Sequence, residues 1–124
     1  MKEKKFRVHQ IKVEKVLEDL INRIVNNLKV KEIILFGSYS WGKPDKNSDL
    51  DIVVILDEEG YSKSFSEKIG KKEKVSNLIL DIKRKFPLDL LVYTKYEWNR
   101  LIESGFSFFK EINENGIRIY ERKN

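Results

Sequence analysis

Asp is among the residues least at home in β-strands. Yet Asp49 and Asp51 open a strand-like segment, Asp49–Leu56, and Asp89 lies inside the apolar run Leu88–Tyr93. Side chains two apart on a strand point to the same face, so Asp49 and Asp51 look one way. By the same rule Asp89 shares its face with Leu91 and Tyr93, while Leu88, Leu90 and Val92 take the other. If the two strands are neighbours, three carboxylates converge at one sheet position. At about 5 Å and an effective dielectric near 20, each ionised pair repels by about 3 kcal/mol. Such a cluster needs raised pKa values or a cation, and an all-oxygen donor set without His or Cys suits Mg²⁺ or Mn²⁺. Upstream, Gly37-Ser38 stands where the apolar run Ile33–Phe36 ends. Gly lets a backbone approach a ligand closely, and the first amides of a helix bind anions. The Ser38 hydroxyl can donate to a phosphate oxygen. Ten residues separate Ser38 from Asp49, enough for one short helix and a turn back into the sheet. A phosphate cradle beside metal-binding carboxylates suits metal-assisted attack at a nucleotide phosphate, one cation orienting the triphosphate and another activating the acceptor oxygen.

The elements that must position these groups are legible as periodicity. Between Val8 and Leu28 the apolar residues Val8, Ile11, Val16, Leu20, Ile24 and Leu28 fall at helical spacing, widened by Leu17, Ile21 and Val25, with charges opposite. Lys31–Phe36 reads as a buried strand, Gly37–Ser48 as a loop with at most a turn or two of helix near Tyr39–Trp41, and Asp49–Leu56 as a β-branched strand. Asp57–Ser66 is a polar loop. Helical spacing returns from Glu67 to Phe86, stopping before Pro87. Leu88–Tyr93 is a third strand, Lys95–Glu103 and Phe106–Asn113 are two short helices broken at Gly105, and Ile117–Tyr120 is a last strand. This order predicts an α/β (α+β) sandwich, a small mixed β-sheet with flanking helices, as a single domain over residues 1–124.

Composition removes other chemistries. The 124 residues hold no Cys and one His, His9, which excludes disulfide scaffolds, thiolate nucleophiles, Cys-based metal sites and poly-His sites. No apolar stretch approaches the roughly 20 residues a bilayer span needs, and no signal-type segment follows Met1–Lys5; we expect a cytoplasmic protein with no membrane role. Charged residues reach 36% and the formal net charge is +5, which leaves direct nucleic-acid contact open. Ala is absent and Thr occurs once, a bias that says nothing direct about function.

The same residues admit competing readings. Gly37-Ser38-Tyr39-Ser40-Trp41-Gly42-Lys43 fits the first seven positions of a Walker A loop, but Pro44 stands where a Ser or Thr must ligate Mg²⁺ and no full helix follows the Lys. Asp49 and Asp51 could be a solvated strand entry, and Asp89 after Pro87 a polar edge residue; their coincidence with Gly37-Ser38 argues otherwise. His9 is placed before the first helix, in solvent. Lys71-Lys72-Glu73-Lys74 and Lys83-Arg84-Lys85 read as solvated faces of one helix. Trp98, Phe106, Phe108 and Phe109 have core spacing, but two or three exceed what so small a core can hold and would form a partner-binding patch.

The string Leu35-Phe36-Gly37-Ser38-Tyr39-Ser40-Trp41-Gly42, followed by Ser48-Asp49-Leu50-Asp51-Ile52-Val53-Val54, closely resembles the minimal nucleotidyltransferase (MNT) family of the DNA polymerase β-type nucleotidyltransferase superfamily. Pro87-Leu88-Asp89-Leu90-Leu91 is similar to that family's third-carboxylate strand. The resemblance runs from about residue 10 to the end of the chain and implies the nucleotidyltransferase fold. It implies that Gly37 and Ser38 hold the triphosphate of ATP or another NTP, that Asp49 and Asp51 bind Mg²⁺, and that Asp89 completes the site and helps deprotonate the acceptor hydroxyl. Many relatives carry Arg near the positions of Tyr39 and Trp41; here Lys43 or Lys46 would have to make that phosphate contact. Larger members of the superfamily bind their acceptors with further domains, so we expect the acceptor at a shallow surface site or on another protein. MNT proteins are usually paired with a helical HEPN ribonuclease as toxin and antitoxin, the MNT member transferring AMP to a tyrosine of the toxin. The resemblance thus implies a Mg²⁺-dependent adenylyltransferase antitoxin, in an assembly with its HEPN partner. Two alternatives stand beside it: a non-catalytic binding module of the same fold, and nucleotidyl transfer to a small molecule or RNA end.

Overall fold

Strands in the interior of a sheet read as continuous apolar runs because both faces are covered, and the run Ile52–Leu56 does form the central part of one. In the computed structural model the backbone is described for residues 2–40, 49–58 and 63–123, and side chains from Lys12 onward. Helix α1 (Lys2–Asn27) leads into strand β1 (Val30–Phe36), which ends in a single 3-10 turn, Gly37–Tyr39. Strand β2 (Leu50–Leu56) follows, then helices α2 (Phe65–Leu78) and α3 (Leu80–Lys85), strand β3 (Leu88–Thr94), helices α4 (Lys95–Glu103) and α5 (Ser107–Asn115), and strand β4 (Ile117–Glu121). The sheet order is β3-β2-β1-β4. β1 pairs antiparallel with both β2 and β4, whereas β2 and β3 are parallel, joined through α2 and α3. The expected mixed α/β sandwich is what the chain forms.

The period-2 alternation of the strands sorts the core into two layers. Leu50, Ile52, Val54 and Leu56 of β2, with Leu90 and Val92 of β3, pack against Leu20 and Ile24 of α1, Val75 of α2 and Ile82 of α3. On the other face Val53 and Ile55 meet Ile34, Trp98 of α4 and Ile112 of α5, with Leu91, Tyr93 and Phe109 around them. Asp51 and Asp89 are in phase with this second layer. They stand at the first turns of their strands, on the end of the sheet where β1 finishes.

Four expectations need correction. The first helix begins at Lys2 rather than Val8, because Lys, Glu, Arg and Gln favour helix without any apolar stripe; His9 therefore lies within α1, not before it. The helix expected over residues 67–86 is two helices. Its backbone breaks at Ile79 (φ −121°, ψ 20°), yet Val75, Ile79 and Ile82 all stay buried, so the apolar stripe keeps phase across the break and hides it. The two basic clusters thus belong to different helices. Among the described residues no helix is long and apolar enough to cross a membrane.

Candidate active site

Parallel strands hold their partners about 4.8 Å apart, and the register of β2 against β3 sets Asp51 directly beside Asp89. Both project from the same face, so the two carboxyls meet. Burial pushes the Asp51 carboxyl above its usual range; the charge of Asp89, a side-chain hydrogen bond with Asp89 and the charge of Asp49 add to that shift. The crowding of the two carboxyls thus disfavours the charged form of Asp51. Asp49 is exposed, one residue ahead of β2 rather than within it, and reaches Asp51 through its charge.

Gly37 ends β1 next to this pair. Phe36 is registered against Asp51, and Gly37 turns the chain with φ +73°, in the left-handed region that side chains disfavour. A Cβ on Gly37 would stand 2.1 Å from Oδ2 of Asp51. Glycine is therefore required twice, by its backbone and by the carboxylate against it. The 3-10 turn is closed by the Ser40 amide donating to the Gly37 carbonyl at 3.0 Å, and the Ser40 hydroxyl donates to the Asn115 carbonyl at 3.2 Å, anchoring the turn to α5.

Gly37, Ser38, Asp51 and Asp89 line one cleft of about 580 Å³. Lys72 of α2 supplies a cation to its wall, and Phe36 and Phe108 supply an aromatic corner with ring centroids 6.0 Å apart. Neither Lys72 nor Phe108 was assigned to the site by sequence reasoning, because only the tertiary packing of α2 and α5 brings them there. Lys43 and Lys46, the other candidates for phosphate, lie outside the described residues. Phe106 and Phe108 are more than half exposed while Trp98 is buried, the surplus of aromatics expected over the core. Among the described residues no group of three or more His, Cys, Asp or Glu is arranged as a metal shell. The Asp51–Asp89 pair nevertheless fits a hard divalent cation in chemistry: two crowded carboxylates with only oxygen donors, whose repulsion a cation would relieve.

Comparison with known proteins gives the same frame. A family model described as Nucleotidyltransferase domain matches residues 13–120. The chain is 42% identical over 74 residues to "Putative protein adenylyltransferase MJ1379" of Methanocaldococcus jannaschii, a match spanning 57% of this chain and 66% of that protein, just under two thirds. It is 31% identical over 70 residues to "Putative protein adenylyltransferase MJ1215" of the same organism, covering 56% of this chain and 81% of that one. In fold it is similar to a crystal structure described as a "putative nucleotidyltransferase" from Sulfolobus solfataricus (TM-score 0.64, 18% identity, 91% of this chain and 84% of the other). It is also similar to a chain of a toxin-antitoxin crystal structure with AMP-PNP (TM-score 0.55, 22% identity, 86% and 74%).

Proposed function

The chain belongs to the nucleotidyltransferase domain family, and from that premise we propose that it transfers AMP from ATP to a hydroxyl on a partner protein, in the cytoplasm, as the antitoxin of a toxin–antitoxin pair. The observation that carries the reading is the Asp51–Asp89 pair on adjoining parallel strands with Gly37 packed against it. The names of the two Methanocaldococcus relatives support protein as the acceptor class and AMP as the group transferred. The toxin-antitoxin structure with AMP-PNP supports a toxin partner; a HEPN ribonuclease with an acceptor tyrosine is the specific form we propose.

In this mechanism Asp49, Asp51 and Asp89 would hold Mg²⁺, which when bound offsets the negative charge gathered at the triphosphate. Gly37 and Ser38 cradle the phosphates, and Lys72 adds a positive charge at the cleft wall; Lys43 and Lys46 are proposed to contribute phosphate contacts. The aromatic corner of Phe36 and Phe108 is suited to stack a base. The acceptor oxygen forms a bond to the α-phosphorus, the bond from that phosphorus to the bridging oxygen breaks, pyrophosphate leaves, and the hydroxyl proton passes to Asp89. Asp51 must be ionised to hold the cation, so activity should rise with pH through the Asp51 titration.

Incubation with α-labelled ATP, Mg²⁺ and the product of the neighbouring gene tests the assignment. Label should appear on the neighbour with the wild-type protein and be lost with Asp51→Asn; label that persists in this variant sinks the mechanism. A second reading is a binding module that neutralises its partner by occupation, favoured by the lack of an assembled three-ligand shell among the described residues. An Asp49→Asn, Asp51→Asn double variant that still neutralises the partner as well as wild type would decide for it.

A further inference from the structure

Strand β3 is an edge of the sheet: among the described residues it pairs only with β2. An open edge is a template for another strand, and this one has a groove beside it. The consecutive residues Leu90, Leu91, Val92 and Tyr93 all line a cavity of about 300 Å³. Neighbouring side chains on a strand point to opposite faces, so four in a row can border one groove only if it runs along the strand's backbone edge. In a parallel ladder alternate residues turn their amide and carbonyl toward the partner strand. The Pro87 carbonyl accepts from the Leu50 amide at 3.1 Å. The residues in step with Pro87, which are Asp89, Leu91 and Tyr93, therefore face β2, and Leu88, Leu90 and Val92 offer their backbone groups to the groove.

The opposite wall is α2, which contributes Phe65, Lys68, Ile69 and Lys72. Phe65 is 79% exposed and Ile69 41%, apolar surface left facing water. The groove is continuous with the candidate active site, with which it shares Lys72, Leu90 and Leu91. At its other end it shares Lys68 and Tyr93 with a cavity of about 430 Å³ that reaches Arg100 on α4. Lys68 stands over the Tyr93 ring, 5.1 Å from its centroid. From Asp89 to Tyr93 the track is about 13 Å long at strand rise, enough for four or five residues of an extended chain.

The geometry points to this track as the docking site of an extended, acidic segment of the partner protein. That segment adds as a fifth strand to the free edge of β3 and brings its hydroxyl-bearing residue to Asp89. Backbone pairing with Leu88, Leu90 and Val92 supplies affinity, as in other strand-addition complexes. Phe65 and Ile69 take its apolar side chains, and Lys68, Lys72 and Arg100 face its acidic ones. A polynucleotide would match the cations but neither the apolar wall nor the strand-spaced donors and acceptors. The delivery of the hydroxyl rests on the transferase reading; the docking itself does not.

The test uses two pools of synthetic hexapeptides in which Glu alternates with Ile, Val or Leu, one with Tyr at the first position and one with Tyr at the last. Amide resonances and hydrogen exchange of the whole isotope-labelled protein are followed during titration. Exchange at Leu90 and Val92 should slow by about tenfold or more on saturation. That protection should be lost when alternate peptide amides are N-methylated, and weakened by Lys68→Glu, a variant whose remaining amide spectrum checks its fold. Absent protection at millimolar peptide, equal binding of the N-methylated pools, or protection by oligoadenylate in place of peptide overturns the docking. A parallel titration with Mg²⁺ and ATP, read at the Gly37 and Ser38 amides, tests the transferase reading separately: nucleotide shifts without peptide protection defeat the docking alone, and peptide protection without nucleotide shifts defeats the transferase reading alone.

Discussion

A carboxyl partly withdrawn from water beside two others prefers to keep its proton, and Asp51 is so placed, with burial as the first cause and Asp89 as the second. Its folded pKa lies above the unfolded one. The metal-free fold is thus favoured most below the unfolded value of about 3.9, and that contribution is lost as pH rises through the folded pKa. Asp51→Asn removes the titrating group while keeping its shape. It is expected to raise the melting temperature of the metal-free protein at neutral pH relative to wild type, although it abolishes label transfer; calorimetry from pH 4 to pH 8, with and without Mg²⁺, checks both the sign and the convergence of the two proteins at the acid end. Gly37→Ala tests the other required residue. The left-handed backbone alone costs an alanine about 1–2 kcal/mol, and its methyl would displace the Asp51 carboxylate, so label transfer should fall by more than the loss of stability measured in urea explains.

Helices α2 and α4 are each opened by a side-chain cap that a single residue provides. Thr94, 1% exposed, ends β3 and opens α4 as a capping box: its hydroxyl accepts from the Glu97 amide at 3.1 Å, and its own amide donates to Glu97 Oε1 at 2.9 Å. Thr94→Ala should cost about 1–2 kcal/mol, read as a shift in the urea midpoint at unchanged slope. At this scale the limits of sequence reading are also clearest. β2 and β3 were legible from the apolar runs Ile52–Leu56 and Leu88–Tyr93, the site from Asp49, Asp51 and Asp89, which are out of place beside them, and Gly105 and Gly116 marked the ends of α4 and α5. The break at Ile79 was not, since Val75, Ile79 and Ile82 remain in phase on either side of it. Nor was the place of Lys72, whose charge looks like any other on a helix surface until α2 is set beside β3.

Across the whole molecule, Asp57 ties distant parts of the chain together. At the end of β2 it accepts from Lys95 at 2.8 Å, at the start of α4, and from Arg122 at 2.9 Å, just past β4. The Lys95 hydrogen bond is the main cause that holds its carboxyl below the ordinary range, so its stabilising contribution is present above the unfolded pKa and is lost as pH falls through the folded one. Asp57→Asn should therefore flatten the acid limb of a stability–pH curve, the opposite of the change expected from Asp51→Asn, and thermal melts between pH 2 and pH 6 check it. Asp51 and Asp89 stand on β2 and β3 and Gly37 directly follows β1, three strands joined by one hydrogen-bonded ladder. A site built in this way is expected to melt together with its sheet. Inactivation and unfolding in denaturant should then coincide, so that the active share of the protein in a cell is its folded share.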